Sequence, residues 1–95
     1  MGETTHTYTY TGRDRVLHFA SRNAKVGTSV TVHYDDFNGG AVARAGLVAE
    51  VTPGNHVPTV IVRFFNGETA EITSDLYNNL ADYRVLRIER HVTRA

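Results

Sequence analysis

The chain has 95 residues, which suits one domain of ordinary size, with 41% hydrophobic and 21% charged residues and no net charge. It contains no cysteine, which excludes disulfides, thiolate nucleophiles and zinc sites built on sulfur. No apolar run approaches the ~20 residues that cross a bilayer, and the first residues lack the charged and then apolar pattern of a signal peptide. We therefore expect a cytoplasmic protein that does not associate with a membrane.

Charge is distributed unevenly along the chain. Residues 1–25 carry four basic and two acidic residues, residues 26–83 carry two and seven, and residues 84–95 carry four and one. Two explanations stay open: the basic ends fold back on an acidic body, or they form a basic face for an anionic partner.

The N-terminal quarter predicts a strand followed by a turn. Over residues 4–11 threonine alternates with histidine and tyrosine, a period of two that is typical of an edge strand or an extended arm. After a turn at Gly12, residues 15–20 fit either a returning strand or one helical turn. We favour the strand, which gives an N-terminal β-hairpin, and we interpret residues 21–28 as a linker.

The rest of the chain predicts five strands. They are expected at residues 30–34, 43–52, 59–65, 68–72 and 83–88. Asn66-Gly67 between the third and fourth is a strong hairpin signal, because a type I′ turn needs a positive φ at both central residues. Ser74-Asp75 precedes a predicted short helical turn over residues 76–80.

Five short strands with tight turns are too few for a full-sized two-layer sandwich. We therefore expect an all-β fold, in the form of a small and partly open barrel. Gly27 and Gly46 are expected at corners of this barrel, where a Cβ would clash.

The pattern of glycines and alternating valines resembles the SH3-like small β-barrel, in particular KOW and Tudor-type modules. The residues that carry the resemblance are Gly27-Thr28-Ser29-Val30-Thr31-Val32, Ala45-Gly46-Leu47-Val48-Ala49-Glu50-Val51, Val60-Ile61-Val62-Arg63-Phe64 and Arg84-Val85-Leu86-Arg87-Ile88. It covers about residues 27–90 and implies a five-stranded antiparallel barrel over 27–95, preceded by a β extension and linker over 1–26. Such modules bind RNA, proteins or modified side chains. The sequence departs from RNA-binding KOW modules in its acidic loop over residues 35–40.

No group of residues matches the pattern of an active site. The five histidines make no close pair at metal-ligand spacing, there is no Gly-x-Ser-x-Gly elbow, and no phosphate-binding glycine loop precedes a helix. Asp35 and Asp36 fit a turn held by side-chain to backbone hydrogen bonds better than an acid–base pair. We expect neither an enzyme nor a cofactor or metal site.

Two neighbouring aromatic residues point to a binding surface. Side chains of adjacent strand residues lie on opposite faces, so Phe64 and Phe65 cannot both enter one core. Ile61 and Phe65 then share the face outside the barrel. Either the N-terminal segment or the predicted helical turn over residues 76–80 covers them, or they form an exposed interaction patch; we favour cover by the N-terminal segment. The candidate protein-binding residues are Phe65, Ile61, Phe37, Asp35 and Asp36.

These features predict a non-enzymatic binding module that contacts another protein, as an adaptor or as an inhibitor of the kind found among phage and mobile-element accessory proteins. The alternative is nucleic-acid binding through basic residues at both ends, since the C-terminal arginines would form one stripe if they lay on a helix. The candidate residues for this alternative are Arg13, Arg15, Arg22, Lys25, Arg84, Arg87 and Arg90. We expect a monomer or a homodimer formed through an edge strand such as residues 4–10.

Overall fold

A computed structural model describes residues 4–35, 40–53, 58–72 and 84–94. Its elements are β1 (Thr4–Thr11), α1 (Arg13–Arg22), β2 (Ser29–Asp35), β3 (Ala41–Thr52), β4 (Thr59–Phe64), β5 (Thr69–Ile72) and β6 (Arg84–Arg94). All strand pairings are antiparallel, in one sheet of order β1-β6-β2-β3-β4-β5. The prediction of a mainly β domain is confirmed. The predicted helical turn over 76–80 and the candidates Asp36 and Phe37 lie outside the described residues.

The sheet is open, so the small and partly open barrel that we expected does not form among the described strands. Among the described strands, β1 has only β6 as a neighbour and β5 has only β4. β6 is eleven residues long and pairs on one side with β1 and on the other with β2. Because β6 is occupied on both sides, the N-terminal strand extends the sheet at one end instead of closing it.

Residues 13–22 form a helix where we expected the second strand of an N-terminal hairpin. Val16, Phe19 and Ala20 are buried, whereas Arg15, His18 and Ser21 are exposed. Buried positions three and four residues apart lie on one side of a helix, while on a strand Val16 and Phe19 would lie on opposite faces. β1 therefore pairs with β6, and the predicted hairpin does not form.

One face of the sheet carries the core. Val30, Val32 and Tyr34 of β2 are buried, as are Val60, Val62 and Phe64 of β4, which confirms the predicted alternation of these strands. Val16, Phe19 and Ala20 complete the core from α1, which packs against β1 and β6. Each of the fully buried valines contributes about 1.5–3 kcal/mol relative to an exposed position.

The opposite face, which we call the outer face, carries the alternate side chains. It is polar on β1, β6 and β2, where threonine, histidine, glutamate and arginine lie in register, and it has small side chains on β3. Its central residues are Thr5, Thr7, Thr9, Thr31, His33, Ala43, Ala45, Leu47, Arg63, Arg87, Glu89 and His91.

The predicted hairpin of β4 and β5 is confirmed, but its turn differs from the expected type. The Gly67 N–H donates to the Phe64 carbonyl at 3.0 Å, and the Phe64 N–H donates to the Glu68 carbonyl at 2.8 Å. Gly67 has a φ of 93°. The connection is thus three residues long with glycine in the left-handed conformation, and Phe65 and Asn66 occupy the centre of the turn.

No helix in the described ranges has both the length and the apolar character needed to cross a membrane.

Candidate protein-binding surface

Phe65 has the most exposed large apolar side chain in the described part of the chain, at 73%. Its position explains this exposure, because it lies in the turn after β4 and not within the strand. Its N–H donates to the Ala45 carbonyl at 3.2 Å, so the backbone is held against β3 while the ring projects into solvent. The described part of the N-terminal segment does not cover this ring, since α1 packs on β1 and β6.

Two further exposed apolar side chains lie beside Phe65. Val26 is 69% exposed and Leu47 is 41% exposed, and with Phe65 they line a groove of about 490 Å³. The segment that carries Val26 is fixed to β3, because the Gly27 N–H donates to the Val48 carbonyl and the Val48 N–H donates to the Thr28 carbonyl. We call this groove the Phe65 groove. Its walls are preformed, because these backbone hydrogen bonds hold them in place.

Arg63 supplies the charge of the Phe65 groove. It is exposed and lies directly opposite Leu47 in the pairing of β4 with β3. The ion pairs among the described residues join His33 to Glu89 and Arg44 to Glu68, so the Arg63 guanidinium has no carboxylate partner within them. An apolar groove with one available cation suits an apolar ligand that carries a carboxylate.

The other protein-binding candidates do not join this groove. Ile61 is half-buried on the outer face, opposite Glu71. Asp35 is half-buried at the end of β2, opposite Ala41, which lies about six residues or roughly 20 Å along β3 from Leu47. The structure thus assembles a surface around Phe65 from residues that sequence reasoning did not select, namely Val26 and Leu47.

A polar cluster on the outer face was also missed. The Nε2 of His33 is hydrogen-bonded to the Glu89 carboxylate, and Nη2 of Arg87 lies 3.3 Å from Nδ1 of His33. His91 is within hydrogen-bond distance of Thr7 Oγ1 through Nδ1 (3.0 Å) and of Thr31 Oγ1 through Nε2 (2.9 Å). These contacts join β1, β6 and β2 across the sheet, and only the strand register could have revealed them.

The hydrogen bond from His33 lowers the pKa of Glu89 below its ordinary value, and the charges of His33, Arg87 and His91 act in the same direction, while burial opposes them. In the described ranges, no group of three or more histidine, aspartate or glutamate side chains could hold a metal ion. The contacts of the cluster link β1, β6 and β2.

The basic candidates lie on different elements. Arg15, Arg22 and Lys25 are exposed on α1 and just after it. Arg87 contacts His33, and the guanidinium of Arg90 lies 4.5 Å from the centre of the Tyr8 ring. β6 extends through Arg94, so the C-terminal arginines do not form the stripe that a helix would produce.

The side chains of Arg13 and Arg84 lie outside the described part, although the backbone of Arg13 belongs to α1 and that of Arg84 to β6.

Comparisons of the chain with protein-family models, with curated proteins and with solved structures found no match. A function for the chain therefore rests on its own geometry, and the SH3-like resemblance stays a prediction.

Proposed function

We propose that the protein is a non-enzymatic binding module that holds another protein in the Phe65 groove. The observation that carries the proposal is the ring of Phe65, 73% exposed on a turn whose backbone is anchored to β3. A phenylalanine that none of the described residues covers gains about 25 cal/mol for each square ångström of apolar surface that a partner covers. Aromatic side chains on rigid supports are frequent hot spots of protein interfaces.

The groove also indicates what the partner presents. Val26, Leu47 and Phe65 offer an apolar surface, and Arg63 offers a guanidinium next to it. The matching ligand is a protein segment with one large apolar side chain and an acidic residue close by. The carboxylate would fix the orientation of the segment, because the apolar contact alone has no direction.

The test begins with capture of partners on the full chain and continues with the purified partner. Isothermal titration calorimetry then compares wild type with Phe65→Ser and Leu47→Ser. We expect each change to raise the Kd by about tenfold or more, as for truncation of a hot-spot side chain. Tyr8→Ser is the matched control, since Tyr8 is an exposed aromatic residue on β1, outside the groove. Unchanged affinity of the Phe65→Ser variant contradicts the proposal.

Nucleic-acid binding is the second candidate, and the exposure of Arg15, Arg22 and Lys25 favours it. Neutralising phosphates releases counterions, so such binding weakens steeply as salt rises. Titration of the chain with RNA and DNA at two salt concentrations separates the two candidates. Binding that falls with salt and is lost in an Arg15→Gln/Arg22→Gln/Lys25→Gln variant supports this second function. If no salt-dependent binding is measured, these three residues do not contact nucleic acid.

A further inference from the structure

Among the described residues, β1 forms an edge of the sheet that no other strand pairs with. It has eight residues, and β6 is its one neighbour among the described strands. It contains no proline, lysine, glycine or acidic residue, which are the features that usually prevent an edge from pairing with another chain. The other edge is different, since β5 has only four residues, carries Glu71 and follows Glu68.

The side chains of β1 are suited to pairing with a second copy of themselves. Thr5, Thr7 and Thr9 all lie on the outer face. When two such strands pair antiparallel with their outer faces on the same side, threonine lies opposite threonine, which is a favourable cross-strand combination. The sheet already contains one example, because Thr5 Oγ1 and Thr93 Oγ1 are 3.2 Å apart across β1 and β6.

The helices leave room for this arrangement. α1 contacts β1 near its C-terminal end, where the rings of Tyr10 and Phe19 are 5.3 Å apart. A twofold axis near Thr7 or Tyr8 places the two helices at opposite ends of the paired strands. The two helices then lie on opposite sides of the axis, each about 7–10 Å from it along the strand.

We propose that two copies of the chain form a dimer by antiparallel pairing of β1 with β1 of the second copy about a twofold axis. The two six-stranded sheets then become one sheet of twelve strands with a continuous outer face. Such an interface is self-complementary and closes with two copies, so it consumes the free edge without forming a fibre. Tyr8, which is 41% exposed on the opposite face of β1, gains cover from the second strand. The Phe65 grooves lie away from this interface, at β3 and β4.

Light scattering and sedimentation equilibrium of the full chain across a concentration series test the proposal. We expect a mass about twice the 10.5 kDa of one chain. In the Thr7→Lys/Thr9→Lys variant, lysines face one another in either register with the axis at Thr7 or Tyr8. We expect its dimer Kd to rise by about tenfold or more.

Two variants control for unrelated effects. Thr69→Lys/Glu71→Gln changes the net charge by the same amount at the β5 edge and should leave the dimer intact, and Thr7→Ser/Thr9→Ser should retain it as well. If the lysine variant does not fold, hydrogen exchange of the wild type decides, since amides of β1 must gain protection as concentration rises. A wild-type monomer at every concentration overturns the proposal. Three other results also overturn it. The first is a dimer that persists in a folded lysine variant, and the second is a dimer that is lost on Phe65→Ser. The third is hydrogen-exchange protection of the β1 amides that does not change with concentration.

Discussion

Gly46 lies opposite Phe64 in the pairing of β3 with β4, and the two backbones approach closely there. A Cβ on Gly46 would stand 2.8 Å from the Phe64 Cα and closer still to the carbonyl oxygen of Arg63. The neighbouring atoms belong to the backbone, so they cannot move aside as a flexible side chain would. The two strands must separate if residue 46 carries even a methyl group.

We therefore expect Gly46→Ala to lower the free energy of unfolding by at least about 1–3 kcal/mol, the usual cost of inserting a group into a packed site. Urea unfolding followed by circular dichroism measures it. Ala43→Ser, an exposed change on the same strand, should stay within about 0.5 kcal/mol of wild type. Equal unfolding midpoints for the Gly46→Ala variant and wild type would contradict the close approach of the two strands.

Phe64 and Phe65 are adjacent in sequence but should differ sharply in their contribution to stability. Phe64 is 3% exposed in the core, and its replacement by alanine should cost about 3–5 kcal/mol. Phe65 projects into solvent, and the same replacement should change stability by no more than about 0.5 kcal/mol. Thermal and urea unfolding of the two variants provide the measurement. A large loss in the Phe65 variant would mean that its ring packs within the fold.

Glu89 should make stability depend on pH. Its pKa is lowered in the folded protein, first by the hydrogen bond from His33. A carboxylate of this kind stabilises the fold above its unfolded pKa, and the contribution disappears as the pH falls through the lower folded value. We expect the stability difference between wild type and Glu89→Gln to shrink as the pH falls below about 4.5.

Urea unfolding of both proteins at several pH values between about pH 6 and pH 3 measures this difference. Glu71→Gln serves as the control, because Glu71 is exposed on the edge strand β5. A difference between wild type and Glu89→Gln that is constant over the whole pH interval would refute the lowered pKa.

Arg90 should couple energetically to Tyr8. Its guanidinium lies over the Tyr8 ring, and its Nε donates to the Tyr10 hydroxyl at 3.2 Å. A double-mutant cycle with Arg90→Met and Tyr8→Leu should give a coupling free energy of about 0.5–1 kcal/mol. The same cycle with Arg22→Met, an exposed residue of α1, should give a value near zero. No coupling in the first cycle would show that the contact is not energetically formed.

The strands were the most predictable part of this fold. In β2 and β4 one face is buried and the other is not, so apolar residues recur at every second position and the sequence shows the period directly. Gly46 was predicted to lie where a Cβ would clash, and the clash exists, although it arises between two strands of an open sheet and not at a barrel corner.

The helix and the topology could not be obtained in the same way. Residues 15–20 are too few to distinguish the strand period of about two residues from the helix period of about 3.6. Only their packing against β1 and β6 favours the helix. The pairing of residues 4–11 with 84–94 depends on contacts between distant parts of the chain. No local pattern in either segment encodes it, so the hairpin with the nearest apolar run was preferred and proved wrong.

The candidate site was predicted in part. The prediction that Phe65 leaves the core followed from its opposite orientation to Phe64, and the ring does lie outside the core. It is exposed, however, where cover by another part of the chain was preferred, and it lies on a turn and not on a strand. Val26 and Leu47 are twenty-one residues apart in sequence. They come together because the segment before β2 is hydrogen-bonded alongside β3, which the sequence alone does not reveal.

The position of β6 has a consequence for how the molecule comes into being. Thr7 and His91, which touch in the finished sheet, are 84 positions apart. Pairing across such a distance is entropically slow to find, and a ribosome delivers the two segments at different times. The threonine- and tyrosine-rich β1 therefore stays without its partner strand until residues 84–94 have been synthesised. During that interval the unpaired edge of β1 is open to pairing with other chains, as strand edges are in incompletely folded proteins.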